Sequence, residues 1–376
     1  MKLSRIGTSV AMTAIAALTL AGCAAGGDTG STDEPATGGD TTTEGGAELS
    51  GTLNATGASS MEKAQVNGWI PGYAEVQPGV TIQYTATGSG TGRENFVAGT
   101  SEFIGSDRAF KVEEIEENTF QPVCAEGSSI VEFPSYISPI AVAYNLPEVA
   151  EQINLDADTI AKIFAGEISN WNDPAIAATN EGVELPDLPI NAVHRGDKSG
   201  TTGNFLAYLE AAAPDVWTHG TDDQFPSDLG GEAANQTAGV AAAVAAGEGS
   251  IGYLDASAVG DMQTVAVKSG NDFVPYSPEA AAAVVAGSPL EEGRADTDVV
   301  FDLDYTGVEG AYPIVLVAYL IGCSEYTDSN VGAMVKDYFT YVASAEGQEA
   351  AAAEAGNAPL SDEIREQAMA AIDQIK

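Results

Sequence analysis

From residue 49 onward the chain alternates short apolar runs with alanine-rich or amphipathic stretches, and small loops of Gly, Ser and Thr separate them. Strands that alternate with helices in this way predict an α/β architecture. The first unit reads as a strand over 53–56, the loop Gly57-Ala58-Ser59-Ser60-Met61, and a helix from 62 to about 73. The second reads as a strand over 81–85, the loop Thr87-Gly88-Ser89-Gly90-Thr91-Gly92, and a helix from 93 to about 98. Phe103-Ile104-Gly105-Ser106-Asp107 follows as a strand that delivers a carboxylate at its carboxyl end, where ligands bind in open α/β sheets.

A later loop has the same build. His194-Arg195-Gly196-Asp197-Lys198-Ser199-Gly200-Thr201-Thr202-Gly203 lies between an apolar run over 188–193 and a helical pattern over 204–213. The first turn of a helix carries N–H groups without intrahelical acceptors and the positive end of the helix dipole, so strand, polar loop and helix start make an anion pocket. Ser199 and Thr201 add hydroxyl donors and Arg195 a planar cation. Any one such loop could equally be a capped turn with a surface arginine; three in one chain favour a site.

The amino terminus changes the setting. Lys2 and Arg5 precede an apolar run over 10–20 that is too short to span a bilayer, so 1–22 is expected to be an export signal. It ends in Leu20-Ala21-Gly22-Cys23, which resembles a bacterial lipobox, in which Cys23 would be lipidated; a stray cysteine in an ordinary secreted protein is the alternative. Residues 23–48 are almost free of apolar side chains and are expected to form a disordered tether. Beyond it, 44% hydrophobic residues in the whole chain suffice for sizeable cores, and the later apolar run over 314–323 is too short for a membrane span. Of three cysteines, Cys124 and Cys323 remain in an oxidising setting and are expected to form one disulfide, with two separate buried thiols as the alternative.

Fourteen basic residues against 55 acidic ones give a net charge of -41, which argues against nucleic acid and anionic headgroups as partners. An anionic ligand is not excluded, because surface charges beyond about 8 Å are screened while buried donors in contact are not. With two histidines and two unlipidated cysteines, a His/Cys metal site is not expected. The acidic stretches 112–118 and 278–298 are expected to be solvated surface.

An enzyme reading rests on Ser60-Met61-Glu62-Lys63 and Lys198-Ser199-Gly200-Thr201, which fit the S-x-x-K and K-[ST]-G of serine penicillin-recognising enzymes, with Ser60 as nucleophile and Lys63 as its activator. The intervening S-x-N or Y-x-N tripeptide is missing, and Lys198 falls in a polar turn instead of a strand edge. No Walker A loop occurs, so any nucleotide hydrolysis would belong to a partner.

Six segments in register carry a resemblance that covers 53–258 and returns more weakly at 312–321. They are Thr56-Gly57-Ala58-Ser59-Ser60-Met61, Thr87-Gly88-Ser89-Gly90-Thr91-Gly92, Ile104-Gly105-Ser106-Asp107, Ile160 to Ile168 leading to Trp171-Asn172-Asp173-Pro174, the loop from Arg195 to Thr201, and Gly249-Ser250-Ile251-Gly252-Tyr253. Together they resemble the phosphate-binding proteins of high-affinity ABC phosphate transporters, of the type II periplasmic-binding-protein fold. The resemblance implies mixed sheets flanked by helices in two domains, 49–135 with 312–376 and 136–311, joined by crossings near 133–138 and 308–313, with the ligand cleft between them. It implies a solute-binding protein and not an enzyme, without cofactor, that takes inorganic phosphate and passes it to the permease subunits of an ABC importer, exported and lipid-anchored at the outer face of the cell membrane. Its ligand contacts would fall on Ser60, the amide of Met61, Ser89, Asp107, Arg195, Ser199, Gly200 and Thr201, with Asp197 holding the arginine.

A lone carboxylate among donors has a chemical reason. Phosphate near neutral pH keeps a proton that Asp107 can accept, whereas sulfate has none, and a site built for a missing hydrogen bond rejects the analogue by about 10⁴ to 10⁵. Asp107 could instead be a helix cap or a partner of Arg108, and molybdate, sulfate or another oxyanion is the rival ligand.

Overall fold

The computed structural model describes residues 49–376, and the expected alternation of strands and helices runs through them. The expected export signal, Cys23 and the tether lie outside the described residues. In chain order come β1 (Gly51–Gly57), a π-helical stretch (Ala64–Trp69) running into α1 (Ile70–Val76), β2 (Val80–Ala86), α2 (Ser89–Val97), β3 (Phe103–Ser106), α3 (Val112–Glu117) and β4 (Ile130–Tyr144). Next are β5 (Asn154–Leu155), α4 (Ala157–Phe164), α5 (Pro174–Ala178), β6 (Asn191–Arg195), α6 (Gly200–Ala212), β7 (Glu232–Ala234), α7 (Gln236–Ala246) and β8 (Ser250–Asp255). The chain closes with β9 (Gln263–Thr264), β10 (Ala266–Ser269), β11 (Asp272–Val274), α8 (Pro278–Gly287), β12 (Val315–Cys323), α9 (Ser329–Ala343), α10 (Ala345–Ala355) and α11 (Asp362–Ile372).

A nine-stranded mixed sheet organises the molecule in the order β2-β1-β3-β12-β4-β8-β6-β7, with β9 added on β4; β11-β10-β5 form a smaller sheet. β1 pairs in parallel with β2 and β3, and β6 in parallel with β8 and β7. Between these parallel sets run the long strands. β4 is buried along all fifteen residues, as expected of a strand covered on both faces. Its first part pairs antiparallel with β12, from Ile130 opposite Cys323 to Pro139 opposite Val315, and its end pairs with β8, from Ile140 opposite Asp255.

Proline is a poor residue for a central strand, because it gives no N–H to the ladder. Pro134 is accommodated by a register shift between Ala318 and Tyr319, which leaves Ser135 unpaired in the ladder. The Ser135 hydroxyl donates to the Ala318 carbonyl of β12 at 3.1 Å, and the Ser135 carbonyl accepts from Gln348 Nε2, outside the ladder, at 3.0 Å. This bulge coincides with the segment 133–138.

Two helices begin earlier than the apolar pattern indicates. Ser89 and Gly200 open α2 and α6, so glycines read as loop lie in first helical turns. Close packing explains them. A Cβ on Gly92 would lie 2.6 Å from the Gly57 Cα, so only glycine lets α2 sit this near the end of β1.

The acidic stretches are not uniformly solvated. Arg108 grips Glu114 through Nη1 at 2.7 Å and Nη2 at 2.9 Å; against burial, these bonds hold the Glu114 carboxyl down at about 2. Asp298 is buried, paired with Arg294 at 2.7 Å beside the fully buried Glu132 of β4. Burial pushes both carboxyls above their usual range, and for Glu132 the neighbouring Asp298 charge adds to it.

Cys124 and Cys323 are bonded, with their Cα atoms 5.3 Å apart across a sequence separation of 199. A loop of that length restricts the unfolded chain strongly, so reduction is expected to cost about 2–5 kcal/mol of stability. Calorimetric melting with and without reductant checks this. Labelling of both thiols in the denatured, unreduced protein would rule the bond out.

Candidate functional site

The carboxyl ends of β1, β2 and β3 aim their loops at the start of α6, and Asp107 stands where they meet. It is 2% exposed. Ser60 Oγ donates to its Oδ1, and Thr201 Oγ1 donates to its Oδ2 at 2.8 Å. Its backbone N–H donates to Ser89 Oγ at 3.1 Å. Four residues named from the sequence, 47 positions apart or more in two of these pairs, thus form one cluster. Burial raises the Asp107 carboxyl above its usual range, against the pull of the Ser60 and Thr201 hydrogen bonds and the charge of Arg195.

Arg195 ends β6 and is 3% exposed. Its Nε donates to Asp197 Oδ1 at 2.8 Å and its Nη2 to Oδ2 at 2.5 Å, a two-point grip that fixes the plane of the guanidinium. Burial by itself would raise the Asp197 carboxyl; the Arg195 hydrogen bonds and charge outweigh it and hold it below its usual value. Ser199 caps α6 by accepting from the Thr202 N–H at 3.4 Å, which leaves its own O–H free to donate. Gly200 abuts Asp107 so closely that a Cβ would stand 2.6 Å from the Asp107 Cβ. Met61 is fully buried beside the same cluster, in the turn that opens the first helix.

The two walls of this cleft touch largely through groups outside the motifs. Asn204 Nδ2 donates to the Asp107 carbonyl at 2.7 Å and to the Gly200 carbonyl at 2.9 Å. Gln236 Nε2 reaches the Ala86 carbonyl at 2.6 Å while its N–H donates to Asp197 Oδ1 at 2.9 Å, and the Ser59 and Thr237 hydroxyls bond at 3.0 Å. Tyr253 steadies the arginine loop, accepting from the Arg195 N–H at 3.3 Å and bonding Thr202 Oγ1 at 2.7 Å. Ser59, Thr202 and Tyr253 lie in segments with a sequence signal, whereas Asn204, Gln236 and Thr237 do not.

Two alternatives fail on geometry. Lys63 Nζ donates to the Ser257 carbonyl, and the Ser60 hydroxyl is turned to Asp107, so Lys63 is not placed to activate Ser60. Arg108 pairs with Asp223 and Glu114, not with Asp107.

A buried carboxyl, several hydroxyls, one guanidinium and two helix starts suit a small oxyanion that carries a proton. The model of the PBP superfamily domain matches residues 42–346. The phosphate-binding protein PstS 3 of Mycobacterium tuberculosis is 35% identical over the full length of both chains. The chain belongs to the PstS family. The phosphate-binding protein PstS of Methanocaldococcus jannaschii, 30% identical over 86% of each chain, is a more distant member. Among solved structures, a high-affinity periplasmic phosphate-binding protein bound with phosphate is similar with a TM-score of 0.69 and 23% identity, covering 84% of this chain and 92% of that one. The phosphate-binding protein from Stenotrophomonas maltophilia has a TM-score of 0.67 at 20% identity, covering 85% and 93%. These similarities establish the type II periplasmic-binding fold expected from the sequence. The PstS family comprises extracytoplasmic solute-binding proteins and not enzymes.

Proposed function

We propose that this protein captures inorganic phosphate outside the cytoplasm and delivers it to the permease subunits of an ABC importer. The observation that carries the reading is Asp107, a buried acceptor ringed by hydroxyl donors with Arg195 as the nearby cation. In the bound state Ser60, Ser89, Ser199 and Thr201 donate to phosphate oxygens with the amides of Met61 and Gly200, and Arg195 balances the charge while Asp197 holds its plane. The phosphate proton takes one of the two Asp107 oxygens, Oδ1 or Oδ2, to which Ser60 and Thr201 respectively now donate. Residues 49–135 with 312–376 and residues 136–311 act as two lobes that close on the anion, and the bulge in β4 lies at one crossing. Cys23 anchors the protein by a lipid to the outer face of the membrane, so Cys23→Ala is expected to move it from the membrane fraction to the soluble fraction. An unchanged fractionation pattern would end the anchor reading.

Titration calorimetry with phosphate and sulfate, on the parent and on Asp107→Asn, tests the central claim. The parent should prefer phosphate by about 10⁴ or more. The asparagine keeps the shape and supplies an amide donor to the unprotonated sulfate oxygen, so that preference should shrink by about tenfold or more, the worth of one hydrogen bond to a charged group. A preference that does not move would return Asp107 to a purely structural role.

A further inference from the structure

Asp223 lies between α6 and β7, outside every loop with a sequence signal, and it touches both walls of the cleft. Its backbone carbonyl accepts from the Ser199 N–H at 2.7 Å, which pins the turn that opens α6. Its carboxylate packs on the same turn, since a Cβ on Gly203 would stand 3.0 Å from Oδ1. On the opposite wall Oδ2 meets two arginines, Arg93 Nη2 of α2 and Arg108 Nε at 3.1 Å, just beyond β3.

Those arginines are held in place independently. Arg93 Nη1 donates to Ser106 Oγ at 2.6 Å, and Arg108 is gripped by Glu114. The side chains of Arg93 and Asp223 are 7% and 10% exposed, so each is desolvated by the contact. Burial lowers the Arg93 guanidinium, and the charge of Asp223 is the largest influence opposing that. A buried cation of this kind depends on its counter-charge. When the walls part, both groups regain water.

We propose that Asp223 is a closure latch, a positioning residue that holds the Ser199–Thr201 turn and bridges to Arg93 and Arg108 only when the cleft is shut, setting how fast bound anion leaves. This rests on the phosphate-capture reading. A contact present in the closed form alone shifts the open–closed balance by its own worth. Its loss therefore falls on the release rate, because encounter takes place with the cleft open.

Stopped-flow association and release of inorganic phosphate, melting of the ligand-free protein and its radius of gyration by small-angle scattering test the latch in the parent, Asp223→Asn and Arg108→Gln. In Asp223→Asn release should speed up by about ten- to a hundredfold. Association should change by less than about threefold, and ligand-free melting should hold. Arg108→Gln, which keeps the Arg93 pair, should show a smaller rise. The ligand-free Asp223→Asn protein should be the more expanded of it and the parent. Unchanged release in both variants, or slower association together with lost ligand-free stability, would overturn the proposal. Should Asp223→Asn fail to fold, Arg108→Gln decides by the same criterion. A parent that does not bind phosphate would overturn the capture reading, and the latch would then stand or fall on the radius of gyration.

Discussion

Gly200→Ala is expected to weaken phosphate binding by about thirty- to a thousandfold while leaving the ligand-free protein as stable as the parent or more so. The new Cβ would lie 2.6 Å from the Asp107 Cβ and 3.1 Å from its Cα and carbonyl carbon. None of these atoms can rotate away, so α6 and the end of β3 must separate. Separation draws the Thr201 hydroxyl, which turns from Asp107 to the phosphate in the bound state, away from the anion, and it breaks the Asn204 bond to the Asp107 carbonyl. A hydrogen bond to a charged group contributes about 1.5–3 kcal/mol and a neutral one about 0.5–1.5 kcal/mol, which together give the stated range. Alanine suits a helical position no worse than glycine, so a general loss of stability is not the expected route. Calorimetry for binding and thermal melting for stability separate the two. Normal affinity in this variant would mean that the contact between Gly200 and Asp107 is not part of the bound state.

Arg195→Ala is expected to weaken phosphate binding by about tenfold to a few hundredfold, in keeping with a charged hydrogen bond worth about 1.5–3 kcal/mol. The environment of the arginine pushes the effect toward the upper end. Its removal strips Asp197 of the two-point grip that keeps that carboxylate low, and leaves a negative charge beside the anion. Arg195→Ala with Asp197→Asn should therefore bind better than Arg195→Ala alone. Lysine at 195 should recover part of the loss, because it restores the charge without the planar fork. Titration of the four proteins checks the order, and parent-like affinity in Arg195→Ala would remove this loop from the site.

Much of this site was legible because its signals are local. A strand that ends in Gly, Ser and Thr before a helix announces an anion-binding turn within ten residues, and Asp107 and Arg195 each sit at the end of a strand whose apolar run is plain. The Arg195–Asp197 pair is likewise local, and the cysteine pairing followed from having two candidates in an oxidising setting. The helix starts at Ser89 and Gly200 are not legible from the sequence, because glycine argues for a loop on propensity, while here it serves close packing.

Partnership across the cleft was not legible. Hydrophobic periodicity tells which face of an element is buried, not which element will cover it. Nothing in the neighbourhood of Asn204, Gln236 or Asp223 records that they meet Asp107, Ala86 and the arginines 93 and 108; those separations run from 97 to 150 positions. The same holds for the acidic stretch that ends at Asp298, where count and spacing indicate solvated surface, yet packing against Glu132 and Arg294 buries one carboxyl. The sequence by itself determined the α/β order, the polar glycine-rich turns at helix starts and the carboxylate at the end of a strand, since each depends on residues within one turn of chain. The tertiary structure alone decided which turns converge, which glycine lets the walls touch and which charges are buried between them, because those depend on pairing through β4 and β12, set by the sheet as a whole.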